Sequence, residues 1–347
     1  MNLSFIVLPL ALCIVLAACG GGGYPSPAPA PAREPVQQIP VTPPDTNLPL
    51  RDRAPTSAEL AQVQATWAQR NLSSQDVVTA YESSEGAYNL KIYSHKVGGN
   101  THFGVVLVPI SPISRQLPVL LYLDGLGPEP LIDLETHLSN FRPDAVLVMP
   151  LFRGRIMRFR GHTFQATGDF CDSWDGAADD AISLLNVVAA TTPQADANNV
   201  TASGYSRGGT IALLVGERDR RVRTIIAGAA PTDFNREEMR VAGGRFYQCQ
   251  FVTDMTAAAS RQRILASSPL HFPILPSVRK VNLFQGETDT AVRPWHTREL
   301  VTALAAQAIS PNVHFYPGAH GTTPDDPNFK VDWKAAHDEA LRLGTTP

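Results

Sequence analysis

The stretch Asn199-Val-Thr-Ala-Ser203, Gly204-Tyr205-Ser206-Arg207-Gly208-Gly209, Thr210-Ile-Ala-Leu-Leu214 decides the fold. A short strand-like run leads into a glycine-flanked serine, and an apolar helical run leads out of it. The glycines let strand and helix pass closely enough for a strained turn, on which a serine hydroxyl stands exposed. The bare G-x-S-x-G pattern also fits a plain Gly-rich turn. The strand before it and the helix after it point instead to a nucleophile at Ser206.

Working outward, short apolar runs alternate with helical stretches. The strand-like runs are Val119–Leu123, Ala145–Met149, Val200–Ser203, Thr224–Ala227, Val281–Phe284 and Val313–Tyr316. The helical ones are Ala177–Ala190, Arg207–Arg218, Pro294–Ala308 and Trp333–Leu343. Buried strands separated by helices predict a parallel sheet covered on both faces. Ahead of them, Thr56–Leu72 reads as a helix opened by Ser57, and Asp76–Tyr81, Asn89–His95 and His102–Pro109 read as antiparallel hairpins. Thr232–Leu275 carries two expected helices, where this architecture accepts an inserted lid. The fold class is α/β: a mostly parallel central sheet, helices on both faces and a lid, over residues 56–347.

A serine hydroxyl needs a base, and the base needs an acid to orient it. Past the strand Lys280–Phe284 comes Gln285-Gly286-Glu287-Thr288-Asp289, and an acid just beyond a parallel strand points into the crevice. Asp289 is the expected acid, with Glu287 and Asp233 as rivals. Past Val313–Tyr316 comes Pro317-Gly318-Ala319-His320-Gly321, whose small residues let the ring reach the serine. His320 is the expected base; His314 and His337 fall within a strand and a helix, and His296 and His271 fit less well. Backbone N–H groups must receive the oxyanion. Arg207, next after the serine, offers one, and Leu126 in Asp124-Gly125-Leu126-Gly127 offers the other. Arg153, in the run Phe152-Arg-Gly-Arg-Ile-Met-Arg-Phe-Arg160, is a candidate clamp for a substrate carboxylate or phosphate, set against the commoner reading that such arginines pair with Asp169, Asp172 or Asp175 or face solvent.

The front of the chain reads as an address and a tether. Phe5–Ala18 is apolar and short of the about 20 residues that span a bilayer, as a signal peptide is. Leu16-Ala17-Ala18-Cys19 resembles a bacterial lipobox, so residues 1–19 are expected to be a lipoprotein signal with Cys19 lipidated; a plain secretory peptide is the alternative. Residues 20–55 hold four successive glycines and many prolines, a composition that favours an extended linker over a core. The expectation is a cell-envelope protein held to a membrane by its lipid. Export leaves Cys171 and Cys249, and an oxidising compartment favours one disulfide between them over two buried thiols.

From about Leu90 to His337 the chain resembles the catalytic domain of prolyl-oligopeptidase-like α/β-hydrolases, near dienelactone hydrolases and acyl esterases. The likeness rests on Gly204-Tyr-Ser-Arg-Gly-Gly209, Gly286-Glu-Thr-Asp-Thr-Ala-Val292, Gly318-Ala-His-Gly321 and Asp179-Asp180. It implies the triad Ser206, Asp289 and His320, acting on a small ester or short peptide without metal or cofactor. One departure is Asp124-Gly125, where the family usually has His-Gly. The chain has no room for the family's β-propeller, which favours esters over a peptidase action. A surface lipoprotein that binds without catalysis is the reading from a different class. The formal charge of −3 offers no basic excess for nucleic acid.

Overall fold

The computed structural model describes residues 53–110, 115–127, 131–140, 142 and 144–343. The signal segment, Cys19 and the linker up to residue 52 lie outside the described residues. Helix α1 (Ser57–Gln69) opens not on Ser57 but on Thr56, whose hydroxyl accepts from the Glu59 N–H while Glu59 reaches back to the Thr56 N–H. That reciprocal pair satisfies two of the orphan donors of the first turn.

Three strands then run antiparallel: β1 (Gln75–Glu85), β2 (Tyr88–Val97) and β3 (Asn100–Pro109). They continue into β4 (Leu117–Leu123), β5 (Leu131–Asp133), β6 (Val146–Leu151), β7 (Ile156–Phe159) and β8 (His162–Gln165). Helix α2 (Asp175–Thr191), β9 (Ala195–Tyr205), α3 (Arg207–Arg218) and β10 (Val222–Gly228) follow. The lid segment gives α4 (Glu237–Phe251) and α5 (Ala257–Ala266). Strand β11 (Lys280–Gly286), α6 (Trp295–Ala306), β12 (Asn312–Tyr316) and α7 (Pro327–Leu343) complete the order. Helix α7 starts earlier than expected because Asp326 accepts from the N–H groups of Asn328 and Phe329, with Pro327 at the first helical position.

A nine-stranded sheet has the order β1-β2-β3-β6-β4-β9-β10-β11-β12, parallel from β6 onward. Its two faces are closed by α2 and α3 packing through Leu184, Leu185, Ile211 and Leu214, and by a second apolar cluster around Leu90, Leu107, Leu147 and Phe159. Strand β4 has β6 on one side and β9 on the other, so the chain reverses direction across the sheet there. Such a reversal opens a crevice at the carboxyl ends of the strands. A small sheet, β5-β7-β8, was not expected from the arginine-rich run. Its hairpin turns on Arg160 and Gly161, both with positive φ (50° and 80°), and an arginine at that position hides the turn from a composition reading.

Cys171 and Cys249 form a disulfide with Cα atoms 5.2 Å apart, fastening α4 to the segment ahead of α2. Gln250 strengthens the same seam, accepting from the Ser173 N–H at 2.7 Å and donating to its hydroxyl at 2.8 Å.

Candidate active site

Ser206 stands between β9 and α3 with φ 57° and ψ −121°, a conformation strained for any residue but glycine. The turn survives because its neighbours leave no other path. A side chain on Gly204 would strike the Gly208 backbone, and one on Gly208 would overlap the Leu123 carbonyl of β4. The Ser206 N–H donates to Gly228 O at 2.7 Å, fixing the elbow to β10.

His320 lies in the loop after β12 and Asp289 in the loop after β11. The structure brings both to the serine: His320 Nε2 is 2.9 Å from Ser206 Oγ, and His320 Nδ1 is 2.7 Å from Asp289 Oδ2. Asp289 is buried, and its other oxygen accepts from the N–H groups of Ala291 and Val292 at 2.9 and 2.8 Å. With a carboxylate at Nδ1, the imidazole carries its proton there and presents Nε2 as an acceptor for the hydroxyl.

The rivals sit elsewhere. Glu287 is exposed beside Arg298, and Asp233 is buried against His271 and Arg236. His314 stacks on Phe284. His337 Nε2 meets the Ser203 hydroxyl at 2.9 Å behind the strand. His296 is buried and accepts from the Thr232 N–H through Nδ1.

Arg207 opens α3, where the first backbone N–H groups have no intrahelical acceptor. Leu126 is half-buried in the loop after β4, on the same end of the sheet. The Arg207 side chain is fully buried and crosses to that loop: Nη2 donates to Gly125 O at 2.7 Å and Nε to Asp124 O at 3.3 Å. Its guanidinium also lies 4.7 Å from the Phe152 ring centre. Burial, reinforced by nearby Arg155, pushes Arg207 down to about 9, so it stays charged at neutral pH. The Asp124 carboxylate faces Arg207, Arg155 and His137 at 3.6, 3.4 and 3.5 Å. Burial works against its charge, but these neighbours hold its carboxyl below the ordinary value.

Arg153 is not available to a substrate, which corrects its reading as a clamp. Its guanidinium is spent on Asp180 and Asp172, each at 2.8 Å, and its backbone N–H donates to Asp180 as well. Two contacts at the site had no sequence signal beyond their place in the elbow: the Arg207 side chain on the β4 loop, and the Tyr205 hydroxyl on His320. A cavity of about 330 Å³ opens between α4 and the acid loop, lined by Glu237, Glu238, Val241, Ala242, Thr290 and Arg293. Among the described residues, no group of three His, Cys, Asp or Glu side chains is placed to hold a metal ion.

The strand order, the elbow and the placement of these loops define an α/β-hydrolase. The model of the prolyl oligopeptidase family matches residues 142–337, more than half of the chain, and the protein belongs to that family as a serine hydrolase. No curated protein sequence matches it. Among solved structures it is similar to acetyl xylan esterase 1 from Thermoanaerobacterium sp. JW/SL YS485, at 14% identity and a TM-score of 0.59, covering 87% of this chain and 99% of that one. An acetyl xylan esterase from Paenibacillus sp. R4 gives 16% identity and 0.54, covering 84% and 98%. The acylaminoacyl peptidase of Pyrococcus horikoshii, in its orthorhombic crystal form, gives 14% identity and 0.54, covering 72% of this chain and 40% of that one.

Proposed function

We propose that the protein is an exported, lipid-anchored serine hydrolase that cleaves a carboxylic ester through an acyl-enzyme. Ser206 Oγ attacks the carbonyl carbon as His320 Nε2 takes its proton. Asp289 keeps the imidazole in the right tautomer and stabilises the imidazolium. The Leu126 and Arg207 N–H groups receive the negative oxygen. The tetrahedral intermediate then expels the alcohol, which takes the proton from His320, and leaves an acyl–Oγ bond. Water repeats the sequence: His320 deprotonates it, the acid is released, and Ser206 regains its proton.

The observation that carries this reading is the continuous chain from Ser206 Oγ through His320 to Asp289 Oδ2, with contacts of 2.9 and 2.7 Å. An ester substrate is favoured over a peptide because the named esterases are the neighbours matched along nearly their whole length. Export and anchoring rest on Leu16-Ala-Ala-Cys19, and the Cys171–Cys249 disulfide is consistent with an oxidising compartment.

Fluorophosphonate labelling tests the chemistry. Wild type is expected to label and to hydrolyse short-chain aryl esters faster than peptide anilides, and Ser206→Ala to do neither. A folded wild type that takes no label overturns the acyl-enzyme. Fatty-acid labelling in cells that persists in Cys19→Ala overturns the anchor.

A further inference from the structure

The two residues flanking Ser206 send polar side chains to two different loops of irregular backbone, one after β12 and one after β4. Tyr205 Oη donates to the backbone carbonyl of His320 at 2.8 Å. Its ring lies 5.4 Å from the imidazole, with Phe329 at 6.0 Å, and the bare face of Gly228 makes room for it, since a side chain there would strike the ring. Besides the imidazole's own bonds to Ser206 and Asp289 and a second contact of Tyr205 with Thr323, the loop bearing His320 is bound to itself, through Ala319 with Thr322 and Thr323, and to the acid loop, through Gly318 O and the Thr288 N–H. The Tyr205 bond therefore ties the base loop directly to the elbow. On the other side, Arg207 bridges the carbonyls of Asp124 and Gly125, the two peptide units ahead of Leu126.

We infer that Tyr205 and Arg207 are positioning residues: Tyr205 sets the imidazole between acid and serine, and Arg207 sets the loop whose Leu126 N–H faces the oxyanion. This rests on the reading of the site given above. The chemistry needs it because both loops are irregular backbone, and a displacement of about 1 Å in a reacting group costs roughly 100-fold in rate. Tyr205 is built as a rigid ring with a single polar tip, and Arg207 as a planar fork able to hold two carbonyls at once. A lysine at 207 keeps the charge beside Asp124 and loses that second reach.

The test compares wild type, Tyr205→Phe and Arg207→Lys, with rates expressed per active site titrated by fluorophosphonate, so that any unfolded fraction drops out. Tyr205→Phe is expected to lower kcat about 10-fold with KM within about twofold, and to broaden the downfield proton resonance of the His320–Asp289 hydrogen bond by opening it to exchange. Arg207→Lys is expected to lower kcat by about 10- to 100-fold while leaving that resonance sharp, because the oxyanion side is affected and the base side is not. If Arg207→Lys does not fold, Arg207→Gln replaces it and carries the same expectation. A Tyr205→Phe enzyme with wild-type kcat and a sharp resonance overturns the Tyr205 role, and a position-207 variant with wild-type kcat overturns the Arg207 role. Loss of stability alone, with kcat per site and the resonance unchanged, reduces both residues to packing. Failure of wild type itself to label or to hydrolyse esters overturns the hydrolase reading, and is a different result from any of these.

Discussion

At Ser206 the backbone pays for reactivity with strain, and the elbow tolerates no bulk around it. Gly208→Ala is expected to abolish activity, because the added methyl overlaps the Leu123 carbonyl and the elbow must open to relieve it; loss of fluorophosphonate label with retained circular dichroism is the outcome to look for. Asp289→Asn keeps the shape but stabilises the wrong imidazole tautomer. A fall in kcat of about 10³- to 10⁴-fold is expected, with folding intact. The elbow and the order serine, acid, histidine were legible in the sequence because turn chemistry and strand ends are local properties. Arg153, Arg155 and Arg207 were not distinguishable in that way. Which arginine meets which aspartate depends on α2, β4 and α3 converging from distant parts of the chain, and Arg153 was taken by Asp180, 27 residues on.

Among the elements, the lid segment is the least evenly held. Helix α4 is interrupted at Gly244, which has φ 46°; beyond it Tyr247, Cys249 and Phe251 are buried, while ahead of it Val241 is 79% exposed beside the cavity. The disulfide thus holds the second half of the helix, while the first half is held by buried Met239 against His296 and turns Val241 toward the cavity. Replacing both Cys171 and Cys249 with serine is expected to cost about 4 kcal/mol, from the loop of 78 residues that the bond closes. Chemical denaturation of the oxidised protein checks it, and a change under about 1 kcal/mol would mean the seam at Gln250 and Ser173 suffices. The two lid helices were visible as helical patterns. The kink and the small β5-β7-β8 sheet were hidden, because a positive φ at Gly244 or Arg160 is set by what surrounds the turn.

Across the whole molecule, buried histidines set the response to acid. His95, His296 and His337 are pushed down to about 4, 3 and 4, first by burial. In the unfolded chain they protonate near the ordinary pKa of about 6.5. Between there and their folded values the unfolded state binds more protons, so stability is lost as pH falls through about 6.5 to 4. Glu217 acts in the opposite sense. It is buried with no hydrogen-bond partner for either oxygen among the described residues, and burial raises its pKa well above the ordinary value. The folded state holds its proton where the unfolded chain has released it, so its contribution falls as pH rises above about 4.5. Glu217→Gln is therefore expected to raise the melting temperature at pH 8 more than at pH 5; an equal shift at both would refute the burial of a neutral carboxyl. The parallel sheet and its helices could be read from apolar periodicity, since β4, β6, β10, β11 and the second half of β9 are buried along nearly all their length. The partners of buried polar groups could not, since they are chosen by packing.

The bond between Cys171 and Cys249 encloses β9, the elbow, α3 and β10, while Asp289 and His320 lie outside it. A protease that nicks the exposed turn at Arg220 would therefore leave a single covalent molecule, with the serine on one fragment and its partners on the other. Such a clipped protein would keep its apparent size until reduced. Its wear would show on a gel only with reducing agent.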